Sequence, residues 1–153
     1  MRQEGLVVAV IAGGLWLALV APAGAAIRNV PADYPSIMAA IIAAADGDEV
    51  VVAPGGYDEP IDTLGKAITV RSTNPTNPTV VNTTMIISAV GPLVTIANGE
   101  GPNTRILGLT LTGANGVGAG IYVSDASPVL AYNRIYNNTC NSAILGGAGM
   151  HIA

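Results

Sequence analysis

The chain has 153 residues, half of them hydrophobic and only 10% charged, with six basic against ten acidic side chains and a net charge of −4. That charged share is well under the usual figure of about 25%, and with no basic patch it argues against nucleic acid as a partner. Cys140 is the sole cysteine, which excludes an intramolecular disulfide and leaves stability to the core.

Leu6 to Val20 form an uninterrupted apolar run, shorter than the ~20 residues of a spanning helix. Ala23-Gly-Ala25 follows with the spacing of a small-residue cleavage site. Residues 1–25 are therefore expected to be a signal peptide, with a mature start at Ala26 or Ile27. The expected location is secreted or at the cell surface, without membrane attachment after cleavage, and residues 26–153 form one domain. Over residues 35–45, Ser36 is the expected N-cap. Ile37, Ala40, Ile41 and Ala44 keep the i, i+3, i+4, i+7 spacing of one helical face, and Asp46-Gly47 supplies the stop. This single short helix is expected to plug the open end of the domain, where a bare strand edge would recruit other chains.

From Asp48 onward, short apolar runs alternate with turn dipeptides such as Asn74-Pro75, Gly91-Pro92 and Asn98-Gly99. The runs expected to be strands include residues 67–71, 79–81, 84–87, 93–96, 106–112, 120–123, 128–136 and 149–152. Gly118-Ala-Gly-Ile-Tyr-Val123 returns one coil-length later as Gly147-Ala-Gly-Met-His-Ile152. A weaker echo sets Ile106–Leu111 onto Leu130–Ile135 at a somewhat shorter shift. Self-similarity at that length marks a chain that winds round and lays each turn on the last. The expected fold is all-β: a right-handed parallel β-helix, or solenoid, of about three coils with a short N-terminal capping helix. The second echo sets Leu109 against Asn133, which requires a bend between two strands of a coil, and Asn tolerates the left-handed backbone of such a corner.

Val30-Pro-Ala-Asp-Tyr-Pro-Ser-Ile-Met-Ala-Ala-Ile41, Asp46-Gly-Asp-Glu-Val-Val-Val-Ala-Pro-Gly-Gly-Tyr57 and Lys66-Ala-Ile-Thr-Val70 resemble the opening of pectin lyase-like right-handed β-helix proteins. Leu107–Leu111 and Pro128–Asn138 are similar to the parallel β-helix repeats of that superfamily. The resemblance spans residues 28–152 and implies the fold. It implies no single activity, since the superfamily holds pectate lyases, pectin methylesterases, polygalacturonases, alginate epimerases and phage tailspikes. None of their catalytic motifs is present: there is no Asp-Asp pair, Asn-x-Asp or Gly-His-Gly. The chain stops at a Gly-Ala-Gly-type strand, Gly147–Ile152, so it is expected to be the N-terminal portion of a longer β-helix, whose further coils hold any catalytic groove.

Among single residues, Asp58, Glu59 and Asp62 are the densest acidic group. Their spacing fits no calcium loop, and they are expected to be solvated loop charges. Glu100 lies in a turn, and its position in the resemblance implies a corner role; Glu100→Gln is expected not to weaken glycan retention. His151 and Cys140 lack sequence neighbours for acid–base or thiol chemistry. Asn82 and Asn137 satisfy the glycosylation pattern, which matters only in a eukaryotic secretory route, and Asn137, Asn138 and Asn141 are expected simply as turn residues. No catalytic residue, metal ligand or cofactor is expected. Tyr122 and His151 share one place in the repeat, between apolar residues that face the core. They are expected to point outward one coil apart and, with Tyr132 or Tyr136 nearby, to give a sugar-binding platform. The expected partner is an extracellular polysaccharide; the alternatives are part of a lyase, esterase or epimerase acting on acidic polysaccharide, and a structural adhesion stalk.

Overall fold

Runs such as Thr69–Ser72 and Val94–Ile96 alternate buried and part-exposed positions, the two-residue period of a strand with one face in a core. The computed structural model describes residues 24–140 and 147–153, so the apolar run at 6–20 and most of the 138–145 loop lie outside the described residues. Within them the chain first forms β1 (Ile27–Val30) and α1 (Ile37–Ala43). Four triplets of strands follow: β2 (Glu49–Val52), β3 (Gly55–Tyr57) and β4 (Ile61–Asp62), then β5 (Thr69–Ser72), β6 (Thr84–Ile87) and β7 (Val94–Ile96). The third is β8 (Arg105–Leu107), β9 (Thr110–Thr112) and β10 (Ile121–Val123), and the fourth β11 (Val129–Ala131), β12 (Arg134–Tyr136) and β13 (Met150–Ile152). A second helix, α2 (Pro78–Thr83), interrupts the second triplet.

Every strand pair is parallel, and three sheets result. The first runs β1-β2-β5-β8-β11, the second β3-β6-β9-β12 and the third β4-β7-β10-β13. The chain thus passes through the three sheets in rotation four times, one pass more than the echoes suggest, with β1 as an extra strand on the first sheet. Both echoes coincide with strand register: Tyr122 pairs with His151, and Ile106 with Leu130. Inward positions stack into a continuous core of Val50, Val70 and Ile106 from the first sheet, Ile86 and Leu111 from the second, and Val94, Ile96 and Ile121 from the third.

Corners between sheets are held by side chains that reach across passes. Asn133 accepts from the Leu109 N–H and donates to the Ile106 carbonyl, while Asn138 does the same with Ala114 and Leu111. The left-handed residues are the ones just before, Gly108 and Tyr132 at one corner and Gly113 and Asn137 at the other. The bend expected at Leu109 and Asn133 is therefore real, but Asn133 serves it by bonding rather than by its own backbone, and Leu109 is fully buried.

The N-terminal end is closed by α1. Ser36 Oγ accepts from the Ala39 N–H, as expected of the N-cap, and the Glu59 carboxylate accepts from the Ile37 and Met38 N–H groups. Lys66 Nζ donates to the carbonyls of Ile41, Ile42 and Ala44 at the other end. Both helix ends are thus satisfied by side chains from the first pass and the turn that follows it. Glu59 is a cap rather than a solvated loop charge.

Two further expectations change. Residues 79–81 belong to α2 and not to a strand: Asn77 Oδ1 accepts from the Thr79 and Val80 N–H groups, and Pro78 occupies the first turn. Alternation places Thr110 on an outward, exposed face; the helix lies over that face of β9, so Thr110 is fully buried and its hydroxyl donates to the Val81 carbonyl. Truncating Ile121 to Ala is expected to cost about 2–5 kcal/mol in urea melts, and Ile135, only half-buried in the outer strand of its sheet, less. Thr110→Ala removes a buried hydrogen bond to the Val81 carbonyl, which keeps the Thr84 N–H, and is expected to cost about 0.5–1.5 kcal/mol, against the near-zero cost of an exposed threonine.

Candidate functional site

On the third sheet, the centres of β7 and β10 turn away from the core. Thr95 lies between buried Val94 and Ile96, and Tyr122 between buried Ile121 and Val123. The register brings Asp62, Thr95, Tyr122 and His151 into one outward rank, each over the next. The rings of Tyr122 and His151 stack with centroids 5.6 Å apart and planes 8° from parallel. One face of each ring is therefore taken by the other, and solvent meets the ring edges. Gly118 lies against this pair: a Cβ there would stand 3.1 Å from Tyr122 Cβ and 3.4 Å from His151 Cβ, and its φ is +61°. The loop before β10 closes on the stack only because that position is glycine.

At the other end of the rank, Asp62 and Thr95 floor a shallow cleft of about 340 Å³ walled by Met38, Pro60, Val90 and Pro92. Val90 is 72% exposed. Asp62 is partly committed, since Oδ1 accepts from the Leu64 N–H. The face has apolar walls, hydrogen-bonding groups and two stacked rings. Its described residues include no arginine or lysine: Arg28 pairs with Asp48, Arg71 with Glu49, Lys66 holds α1, and Arg105 and Arg134 lie on the first and second sheets.

The other expected tyrosines do not join this rank. Tyr132 sits at the corner between the first and second sheets, 65% exposed and beside Pro75, Pro78 and Asn82. Tyr136 is on the second sheet beneath the Arg134 guanidinium, 4.3 Å from its ring centroid. Among the described residues, no three His, Cys, Asp or Glu side chains gather as a metal site. Cys140 is half-buried beyond β12, after the bridge between Asn115 and Thr139.

The two most enclosed carboxylates are structural. Glu100, 3% exposed, accepts from the Thr63 hydroxyl (2.6 Å), the Gly65 N–H (3.0 Å) and the Asn98 N–H (2.6 Å), and its carbonyl accepts from Ser127. One residue thereby ties together the corners of three passes. Burial pushes its pKa up, but the bonds from Thr63, Asn98 and Gly65 outweigh it and hold the group below the usual glutamate range. Glu100→Gln is not neutral for the fold, because the amide nitrogen would face an N–H or O–H donor. Asp48 accepts from the Ala45 and Ala26 N–H groups and from Arg28, which together lower its pKa to about 2.

Comparison of the chain with family models, with curated proteins and with solved structures finds no match. No helix among the described residues is long and apolar enough to cross a membrane.

Both carboxylates have folded pKa values below their unfolded ones, so each stabilises the fold above about pH 4 and ceases to as protonation sets in. The urea midpoint is expected to be flat at neutral pH and to fall from about pH 4 downward, with the Asp48 share lost through about pH 2. Glu100→Gln is expected to cost about 1–3 kcal/mol at pH 7 and to make the acid limb shallower.

Proposed function

We propose that the protein is an exported right-handed parallel β-helix of the pectin lyase-like kind that binds an extracellular polysaccharide on the outward face of its third sheet. The observation that carries this is the in-register rank from Asp62 to His151, which ends in the Tyr122–His151 stack and opens at its other end into a cleft. A sugar chain laid along the rank meets the edges of the stacked rings and the apolar wall residues with its C–H groups, while Thr95 and Asp62 meet its hydroxyls. A right-handed path follows from the parallel crossovers, which take that hand almost without exception. Export accords with the apolar run at 6–20 and the small-residue tail after it.

Charge selects among glycans. The rank holds Asp62 and no arginine or lysine, so an acidic chain finds no guanidinium or ammonium to offset its carboxylates. A neutral polysaccharide is the better fit. Catalysis is no part of this reading: Glu100 and Asp48 spend their oxygens on the scaffold.

Retention on immobilised neutral and acidic polysaccharides tests it. Tyr122→Ala is expected to weaken retention on a neutral glycan at least tenfold with little change in the urea midpoint, and Tyr132→Ala, at a different corner, to leave it unchanged. Retention that survives Tyr122→Ala removes this face as the site. Absence of binding to every glycan leaves the structural stalk.

A further inference from the structure

Among the described residues, the first that the fold holds at both its N–H and its carbonyl is Ala26. Its N–H donates to Asp48 Oδ1 at 2.8 Å, and its carbonyl accepts from the Glu49 N–H at 2.9 Å. Gly24 and Ala25, just before it, are exposed, and a Cβ at Gly24 would meet none of the described residues within 4 Å. Asp48 itself is 4% exposed and divides its two oxygens. Oδ2 receives Arg28 Nε, Arg28 Nη2 and the Ala45 N–H, whereas Oδ1 receives the nitrogen of Ala26.

We propose that the chain is cut between Ala25 and Ala26 and that Asp48 is the receptor for the α-ammonium the cut creates. An endopeptidase selective for small residues adds water across that peptide bond: the carboxyl group leaves on Ala25, and Ala26 keeps the amine, protonated at neutral pH. The nitrogen already lies at hydrogen-bonding distance from a nearly buried carboxylate oxygen, so cleavage turns an amide–carboxylate contact into an ion pair. The small-residue spacing of Ala23 and Ala25 allows a start at Ala26 or at Ile27. The structure separates the two. A start at Ile27 would discard both hydrogen bonds of Ala26 and leave Oδ1 of an enclosed carboxylate without its donor. A start at Ala26 keeps both and adds a charge where one negative oxygen has a single partner.

The ionisable groups in the surrounding segments are already engaged. Arg28 binds Asp48 and the Tyr34 hydroxyl, Asp46 accepts from the Ala67 N–H, Glu49 pairs with Arg71, and Lys66 holds the last carbonyls of α1. The acceptor that faces the new ammonium is therefore Asp48. Its charge raises the α-amine pKa above the ordinary value of about 7.7–8.0. The pair then stabilises the fold fully below that value and stops doing so as pH rises through the raised one.

The inference rests on the export half of the proposed function and not on glycan binding. The full chain is expressed in an exporting host, recovered and sequenced from its N-terminus, then reductively methylated with ¹³C. Lys66 is the only lysine, so the spectrum holds one side-chain amine and one α-amine. The expected result is a start at Ala26, with an α-amine that titrates at least one pH unit higher in the folded protein than in urea, a difference abolished in Asp48→Asn. Should that variant fail to fold, the folded-against-urea comparison in the parent chain decides alone. A start at another residue downstream of Met1 overturns the inference and leaves export standing, whereas a retained Met1 overturns both. An α-amine that titrates alike in folded and unfolded protein overturns the receptor role of Asp48.

Discussion

In a parallel ladder each side chain lies directly over its equivalent in the pass before, about 4.8 Å away. That adjacency governs most of this molecule. Inward it stacks Val50, Val70 and Ile106 into one apolar column; outward it decides which groups meet. Like charges piled at that spacing would repel, and the chain keeps charge low and pairs it, as with Glu49 and Arg71 on the first sheet. Where the ladder turns a corner, backbone groups lose their strand partners, and Asn133, Asn138, Glu100 and Thr63 replace them with bonds to the neighbouring pass. The rank from Asp62 to His151 is the same adjacency read on the solvent side.

The N-terminal end shows how such a stack is closed. Strand β1 adds to the first sheet, α1 covers the interior, and Glu59, Lys66 and Asp48 each bind backbone groups that no ladder serves. These side chains come from the first pass and the turns on either side of it, so the cap and the first turn of the winding stabilise each other. Asp48 belongs to this closure, and for that reason one carboxylate can both anchor Arg28 and hold the nitrogen of Ala26.

How much was legible follows from loop length. The last two passes differ from each other mainly in the loop before β13, so both of their echoes survive in the sequence and place Tyr122 over His151 correctly. The earlier passes hide theirs. On the first sheet the step from Val70 to Ile106 is far longer than the step from Val50 to Val70, because the loop holding α2 intervenes. The same helix misled twice. Its β-branched Thr79-Val-Val81 reads as strand, although Asn77-Pro78 is a helix-start signal, and alternation marks Thr110 as outward without revealing that a helix covers it. Glu59 had no local sign of its role, since the N–H groups it caps belong to Ile37 and Met38, with the rest of α1, β2 and β3 in between. Tyr132 and Tyr136 are close to Tyr122 in sequence but fall away from its sheet, a separation that only the three-sided winding reveals.

The central claim is that the winding sets His151 on Tyr122 across one full pass and leaves the other tyrosines on other faces. The chain has one histidine and five tyrosines, so nuclear Overhauser contacts from the His151 ring protons report the arrangement directly. The account predicts a strong contact to the Tyr122 ring and none to Tyr132 or Tyr136. A contact to Tyr132 or Tyr136, or a folded protein in which His151 touches no tyrosine ring, would contradict it.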